Sequence, residues 1–405
     1  MVLAIIIIAF PIVDKYTELR WTAQIIFALI FVILGMGLNI VVGYAGLLDL
    51  GYAAFFAIGA YTTGILSSPQ HNIYMNFWLV IWIAAAVAAV SGLLLGAPTL
   101  PLRGDYLAIV TLGFGEIIPV VFRNLIEVTI KEPFTCWIIP GIQKLFGVTS
   151  TVACKVFMEN LDLTAGEKGI NPIGRPWFPF IGQLPKDASI IHGQWQIGST
   201  WLYIGEFQSE NPITWYFLII AIILLSIFLI NRLRSSRLGR AWMAIREDEL
   251  AAAQMGIDPV RTKLLAFAMG ATFSGFAGAF YAAYIRGIFP SVFDFSASIM
   301  ILCVVILGGI GNINGVIVGG LIFMTADRLF LPALKDFLSG LLDHTILPAL
   351  ASNHTLQTAV AQNANPILYS FLLFGLTLVI MMAVRPEGLI PNAQVRQELH
   401  DKDAG

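Results

Sequence analysis

The sequence predicts an all-α, polytopic bundle of transmembrane helices in one membrane domain, residues 1–405, with about ten spans and no fewer than about eight. Three observations predict it. Of the 405 residues 58% are hydrophobic and only 12% charged, with a mean hydropathy of +0.81. A soluble domain carries about 25% charged residues, so this chain lacks the polar surface to cover a water-soluble globule. Apolar stretches of about 20 residues, enough to cross a bilayer core, recur along it. The 37 glycines suit helices that approach closely in lipid.

The elements follow in order. Residues 1–13, MVLAIIIIAFPIV, have no basic n-region, and no small-residue cleavage site follows. They read as a retained first span, ended by Pro11 and Asp14. Further spans are expected at roughly 22–42, 48–67, 77–102, 105–124, 212–231, 264–284 and 366–384. The stretch 297–331 is too long for one ordinary span. It is interrupted by Gly308-Gly309-Ile310-Gly311-Asn312-Ile313-Asn314-Gly315. It reads as two short spans, or as one span plus a re-entrant segment.

Orientation follows from basic residues in short loops. Residues 232–263 hold Arg232, Arg234, Arg237, Arg240, Arg246, Arg261 and Lys263, so this loop is expected in the cytoplasm. One span separates it from the polar stretch 125–211, which must then be external, facing the periplasm. Ten spans place both termini inside. The external stretch holds Cys136 and Cys154, which either form a disulfide in an oxidising periplasm or remain free thiols.

Four segments are candidates for function. Within the basic loop, 241–255 consists almost wholly of good helix formers, and Gly256 suits a carboxyl-terminal stop. Asp258-Pro259 reads as N-cap and first-turn proline of the next helix. One short helix, 241–256, is therefore expected between two spans, with Arg246, Glu247, Asp248 and Glu249 offered to a partner. A solvated surface helix is the alternative. Asp49 lies in an apolar setting and is either a functional carboxylate at membrane depth or a cap on a helix starting at Leu50. Arg103 and Asp105 lie at a cytoplasmic turn where they can pair. Glu116, near a midplane, should face a helix interface or a wet cavity, either lining a route or bonding structurally. The break at Gly309, Gly311 and Asn312 is tolerated only inside protein or along a cavity, the setting of many transport sites. Tight packing of a helical hairpin is the alternative there.

Some chemistry is missing. There is no GxxxxGK[ST], HExxH or GxSxG. The three cysteines form no CxxC pair, and the five histidines are scattered in loops and the tail. No metal site, catalysis or bound cofactor is expected in this chain. Its net charge of −2 offers no basic field for nucleic acid.

Five motifs carry a resemblance: GYAGLLDLGYAAFFAIGAY at 43–61, PTLPLRGDYLAIVTLGFGEII at 98–118, RLGRAWMAIREDELAAAQMGIDPVRTKLLAF at 237–267, GGIGNINGVIVGG at 308–320 and RPEGLI at 385–390. In this order they resemble the branched-chain amino-acid ABC permease family, specifically its M-type membrane subunit. The resemblance implies a plasma (inner) membrane importer subunit working by alternating access. Its implied partners are a second homologous permease, two cytoplasmic ATPases that hold the ATP and Mg, and a periplasmic binding protein. The 241–256 helix would then dock the ATPases. Ala251, Ala252 and Gly256 match the family's EAAxxxG frame, but Glu249 is displaced by one position. Extra residues precede Leu163-Thr164-Ala165-Gly166-Glu167-Lys168-Gly169-Ile170, and others lie near 186–211 and 335–365. Such expansions look like those of cyanobacterial members, which suggests neutral amino acids as substrates. Urea permeases share the motifs, so urea or a short amide is the alternative cargo. A stand-alone channel or secondary carrier is the alternative of another class.

Overall fold

The structure, a computed structural model, describes residues 10, 11, 13, 14, 21–71, 75–99, 105–126, 128–131, 156–176, 195–197, 200–202, 212–333, 375, 376, 379, 380, 383–385 and 388–390. Ten α-helices are placed among them. They are α1 (Trp21–Asn39), α2 (Ala53–Ser67), α3 (Phe77–Thr99), α4 (Asp105–Asn124), α5 (Pro212–Ser235), α6 (Arg237–Glu247), α7 (Glu249–Gln254), α8 (Pro259–Ile285), α9 (Phe295–Gly308) and α10 (Ile313–Thr325). Among the described residues six helical runs are long and apolar enough to cross a membrane: Trp21–Tyr44, Phe77–Thr99, Tyr106–Asn124, Pro212–Ser235, Pro259–Ile285 and Ile313–Ala333. Expected spans at 1–13 and 366–384 fall wholly or largely outside the described residues, as do Arg103, Cys136 and Cys154.

Two helices form the axis of the bundle. The apolar window of Trp21–Tyr44 is 83% buried and that of Pro259–Ile285 is 78% buried, against 28% for Tyr106–Asn124. Inner helices buried in protein on all sides explain the first pair. The outer helices keep one face for lipid or for another chain, as Leu94, Tyr106 and Leu224 do. Alanine and glycine let α8 lie against α2 and α3. A Cβ on Gly275 would come within 2.8 Å of the backbone of Ala84 and Ala85. Close backbone approach of this kind is how helices associate where lipid removes the hydrophobic drive. Aromatic rings fill the remaining space: Phe56 meets Tyr281 and Phe293 edge-on, and Tyr61 stacks on Phe122.

Two helices are too short to cross. At 1.5 Å per residue, α2 and α9 each reach only about 20 Å, from 15 and 14 residues. The expected span 48–67 thus loses its first five residues, which belong to a non-helical stretch from Ala45 to Tyr52. The glycine-rich stretch 297–331 resolves into α9 and α10 separated at Gly309–Asn312, and α10 continues through a π-turn, Ala326–Phe330.

The stretch 125–211 contributes two small antiparallel pairs, β1 (Val128–Lys131) with β2 (Val156–Leu161), and β3 (Trp195–Ile197) with β4 (Thr200–Leu202). Residues 162–176 then seat on the bundle at the ends of α2 and α8. Ile170 and Ile288 exchange both backbone hydrogen bonds, and Gly174 N–H donates to the Ser67 carbonyl at 2.9 Å. The helix bundle itself remains all-α.

Candidate functional site

The basic segment folds differently from the single helix expected over 241–256. It forms two helices, α6 and α7, that meet at Asp248. The physical reason is that Asp248 leaves helical geometry for φ −152° and ψ 111°. Its carboxylate then accepts from the amides of Leu250 at 2.8 Å and Ala251 at 3.0 Å. Asp248 is thus a capping residue, and capping side chains satisfy amides that a helix start leaves without partners. Gly256 follows α7 at φ +83°, the left-handed stop favoured by glycine. Asp258 caps α8, accepting from Val260 and Arg261, with Pro259 in the first turn.

Three anchors hold the pair of helices to the spans. Trp242 is fully buried, and its indole N–H donates to the Thr262 carbonyl at 2.7 Å. Lys263 Nζ lies 2.7 Å from Glu249 Oε1, with the lysine side chain only 8% exposed. Arg246 donates to the Gly43 carbonyl at 2.6 Å. The other face is open. Arg237, Arg240, Glu247, Asp248, Ala251 and Met255 line a cavity of ≈ 680 Å³, and Met255 and Leu250 stand out at 84% and 66% exposure. Ala252 is buried beneath them.

Arg246 reaches a second feature. After Asn39, α1 widens into a π-turn, Ile40–Tyr44. In an α-helix the Leu47 amide would bond the Gly43 carbonyl; here it bonds Val41 at 3.0 Å. The Gly43 carbonyl is thereby turned toward Arg246. Asn39 Oδ1 accepts from the Gly311 amide at 2.8 Å. Gly43 sits between them, where a Cβ would collide with Asn39 Oδ1 and lie 2.7 Å from Gly311 N. Residues 388–390 close the far side. Leu389 and Ile390 donate to the carbonyls of Leu307 and Gly308, and Asn312 Nδ2 donates to Ile390 at 2.9 Å. Three of the five sequence motifs meet at this junction, and a fourth begins at Gly43.

The structure therefore brings Arg246, Gly309, Gly311 and Asn312 together. Asp49 lies elsewhere, 2% exposed, beside a cavity of ≈ 10 Å³ that Gly96, Thr111, Phe114 and Phe267 also line. That is about room for one water. Asp49 Oδ1 accepts from Gly51 N at 2.9 Å, while Oδ2 is buried with no partner among the described residues. The helix expected at Leu50 starts at Ala53 instead, because Ser298 of α9 accepts the Ala53 amide at 3.0 Å and Thr111 accepts that of Leu50. Glu116 faces outward from α4, beside Ile117, Val120 and Val121, on a face left uncovered by the described residues. Asn39 and Trp242 carry no assigned role in the sequence, Lys263 enters it only as one of the basic residues of 232–263, and Gly43 only as the first residue of a motif. The single amide in the apolar run 25–42 was the available signal for Asn39.

Comparison with known proteins shows the family. A family model described as "Branched-chain amino acid transport system / permease component" matches residues 22–382. The chain is 35% identical over 376 residues to the high-affinity branched-chain amino acid transport system permease protein LivM of Salmonella typhimurium, covering 93% of this chain and 71% of that protein. LivM of Escherichia coli is 35% identical over 371 residues, covering 92% and 70%. LivH of Salmonella typhimurium, a permease protein of a transport system with the same printed name, is 30% identical over 188 residues, covering 46% and 54%. No solved structure matches. With the match running through nearly every described helix, the chain belongs to the branched-chain amino acid transport system permease family.

Proposed function

We propose that this chain is one of two paired permease subunits of an ABC importer that carries branched-chain and other neutral amino acids across the plasma membrane. Energy would arrive from two cytoplasmic ATPases, which hold the ATP and Mg, and substrate from a periplasmic binding protein. The observation that carries this reading is the anchored helix pair α6–α7. It fastens to the start of α8 and to the turn that ends α1 on one side and leaves a charged-rimmed, partly apolar cavity on the other. Such a surface suits the docking of a soluble motor, with Arg237, Arg240, Glu247, Asp248, Ala251 and Met255 at the contact.

In the proposed orientation the helix pair is cytoplasmic and 125–211 is periplasmic. Similarity to both LivM and LivH supports a second, homologous permease as partner. The outward face of α4, with Tyr106, Ile109, Ile117 and Val120 around Glu116, is where that partner and the substrate route would meet. A Glu there is costly against lipid and reasonable against a wet route between two chains. Alternating access then requires the ATPases to bind the two states of the membrane pair with different affinity.

The test is transport of labelled leucine, alanine and urea into vesicles carrying the full complex, with and without the ATPase subunits. Leucine and alanine uptake that needs the ATPases is expected. Uptake that persists without them would refute the importer reading, and urea-only uptake would refute the substrate class. Replacing Glu247 and Gly256 is expected to reduce ATPase co-purification.

A further inference from the structure

We infer that Asn39 is a positioning residue for coupling: through the π-turn Ile40–Tyr44 it joins the docking helices to the glycine break at Gly309–Asn312. The inference rests on the importer reading above and adds the route by which force leaves the docking helices.

The route is a short chain of contacts. Arg246, on the last turn of α6, holds the Gly43 carbonyl at 2.6 Å. Its side chain also crosses Gly46, where a Cβ would sit 2.9 Å from Arg246 Cγ. One turn back along the same segment, Asn39 Oδ1 holds the Gly311 amide at 2.8 Å. Arg246 and Gly311 are therefore fixed to the two ends of one five-residue turn. Both links go to backbone outside the α-helices. The Leu47 amide has been diverted from Gly43 to Val41, and Gly311 lies at φ +83° between α9 and α10. Such points can be displaced without breaking a helix.

Two more observations make this a hinge rather than a packing detail. The π-turn ends α1 and opens directly into the non-helical stretch 45–52. Asn39 is fully buried, and its Nδ2 has no partner among the described residues. The amide is half-satisfied in this conformation, so a second arrangement of the break that offers an acceptor would be stabilised. The non-helical stretch 45–52 continues from this turn, and the break at 309–312 is hydrogen-bonded to its first flank at Asn39. A shift of α6 is thereby delivered to the start of α2 and to the α9–α10 break together.

The experiment uses the reconstituted complex of both permeases, both ATPases and the binding protein. Asn39→Leu keeps the side-chain size and removes the acceptor. Expected are normal ATPase co-purification and basal hydrolysis, with leucine transported per ATP falling about tenfold, the scale of one lost buried partner. Asn39→Ser, smaller and still bearing an oxygen, should lose less, and it decides the matter if the leucine variant does not accumulate. Combining Asn39→Leu with Arg246→Gln should leave transport per ATP no lower than the worse single variant, since both cut one route. Independent structural defects would multiply. Unchanged transport per ATP in both Asn39 variants, or multiplying losses, overturns the inference. Absence of ATPases from the wild-type preparation would instead overturn the importer reading, so the two failures are distinguishable.

Discussion

Glu249→Gln removes the counter-charge of a nearly buried ammonium. Stripping one partner from a fully buried pair costs about 3–5 kcal/mol, whereas an exposed pair is worth about 0–1 kcal/mol. Lys263 is 8% exposed and Glu249 34%, at 2.7 Å. The ammonium is near the buried limit and the carboxylate is not, and glutamine keeps one oxygen for Lys263 to donate to. A loss of about 2 kcal/mol follows. Reversible unfolding of the purified chain in mixed detergent micelles measures it. Lys263→Met introduced into the Glu249→Gln background should recover at least about half of that loss, because no unpaired charge remains. A single-variant loss below about 0.5 kcal/mol, the scale of ordinary surface substitutions, would refute this account. So would a double variant no more stable than Glu249→Gln alone.

Further outcomes are expected. Asp248→Ala should cost about 1 kcal/mol by removing the cap of α7, seen as faster hydrogen exchange at Leu250 and Ala251, while Asp248→Asn stays near wild type. Gly43→Ala has no room for its methyl between Asn39 and Gly311, and should destabilise by about 1–3 kcal/mol in the same micelle assay. Trp242→Phe keeps most of the buried ring but leaves the Thr262 carbonyl without its indole donor, a loss of about 1–3 kcal/mol. Glu116→Leu should change the stability of the isolated chain by less than about 0.5 kcal/mol, as an outward-facing residue, yet lower transport by the assembled complex.

Local signals were legible in the sequence and distant ones were not. Gly256, Asp258 and Pro259 act on amides within a few residues of themselves, and their composition announces a stop followed by a start. Asp248 acts just as locally, but it sits inside an unbroken run of helix formers, so propensity hid the kink its own side chain makes. The start of α2 was misplaced because its amide partners, Thr111 and Ser298, are supplied by other helices. Arg246 was singled out for charge, whereas its hydrogen-bond partner lies 203 residues away in sequence. The glycine break and RPEGLI were read as separate motifs. Only the fold brings Gly388 against Gly309, close enough that a Cβ could not fit between them.

The dependence of α2 on Ser298 also bears on how the chain is made. The Ala53 amide at its amino end finds its acceptor on a helix encoded 245 residues later. A ribosome that has completed the first half of the protein has inserted α2 without that acceptor. The segment 45–52 must then wait, as an unfinished joint open to whatever water or insertion machinery can serve it, until α9 arrives. Early spans enter the membrane first, but the last third of the message completes them.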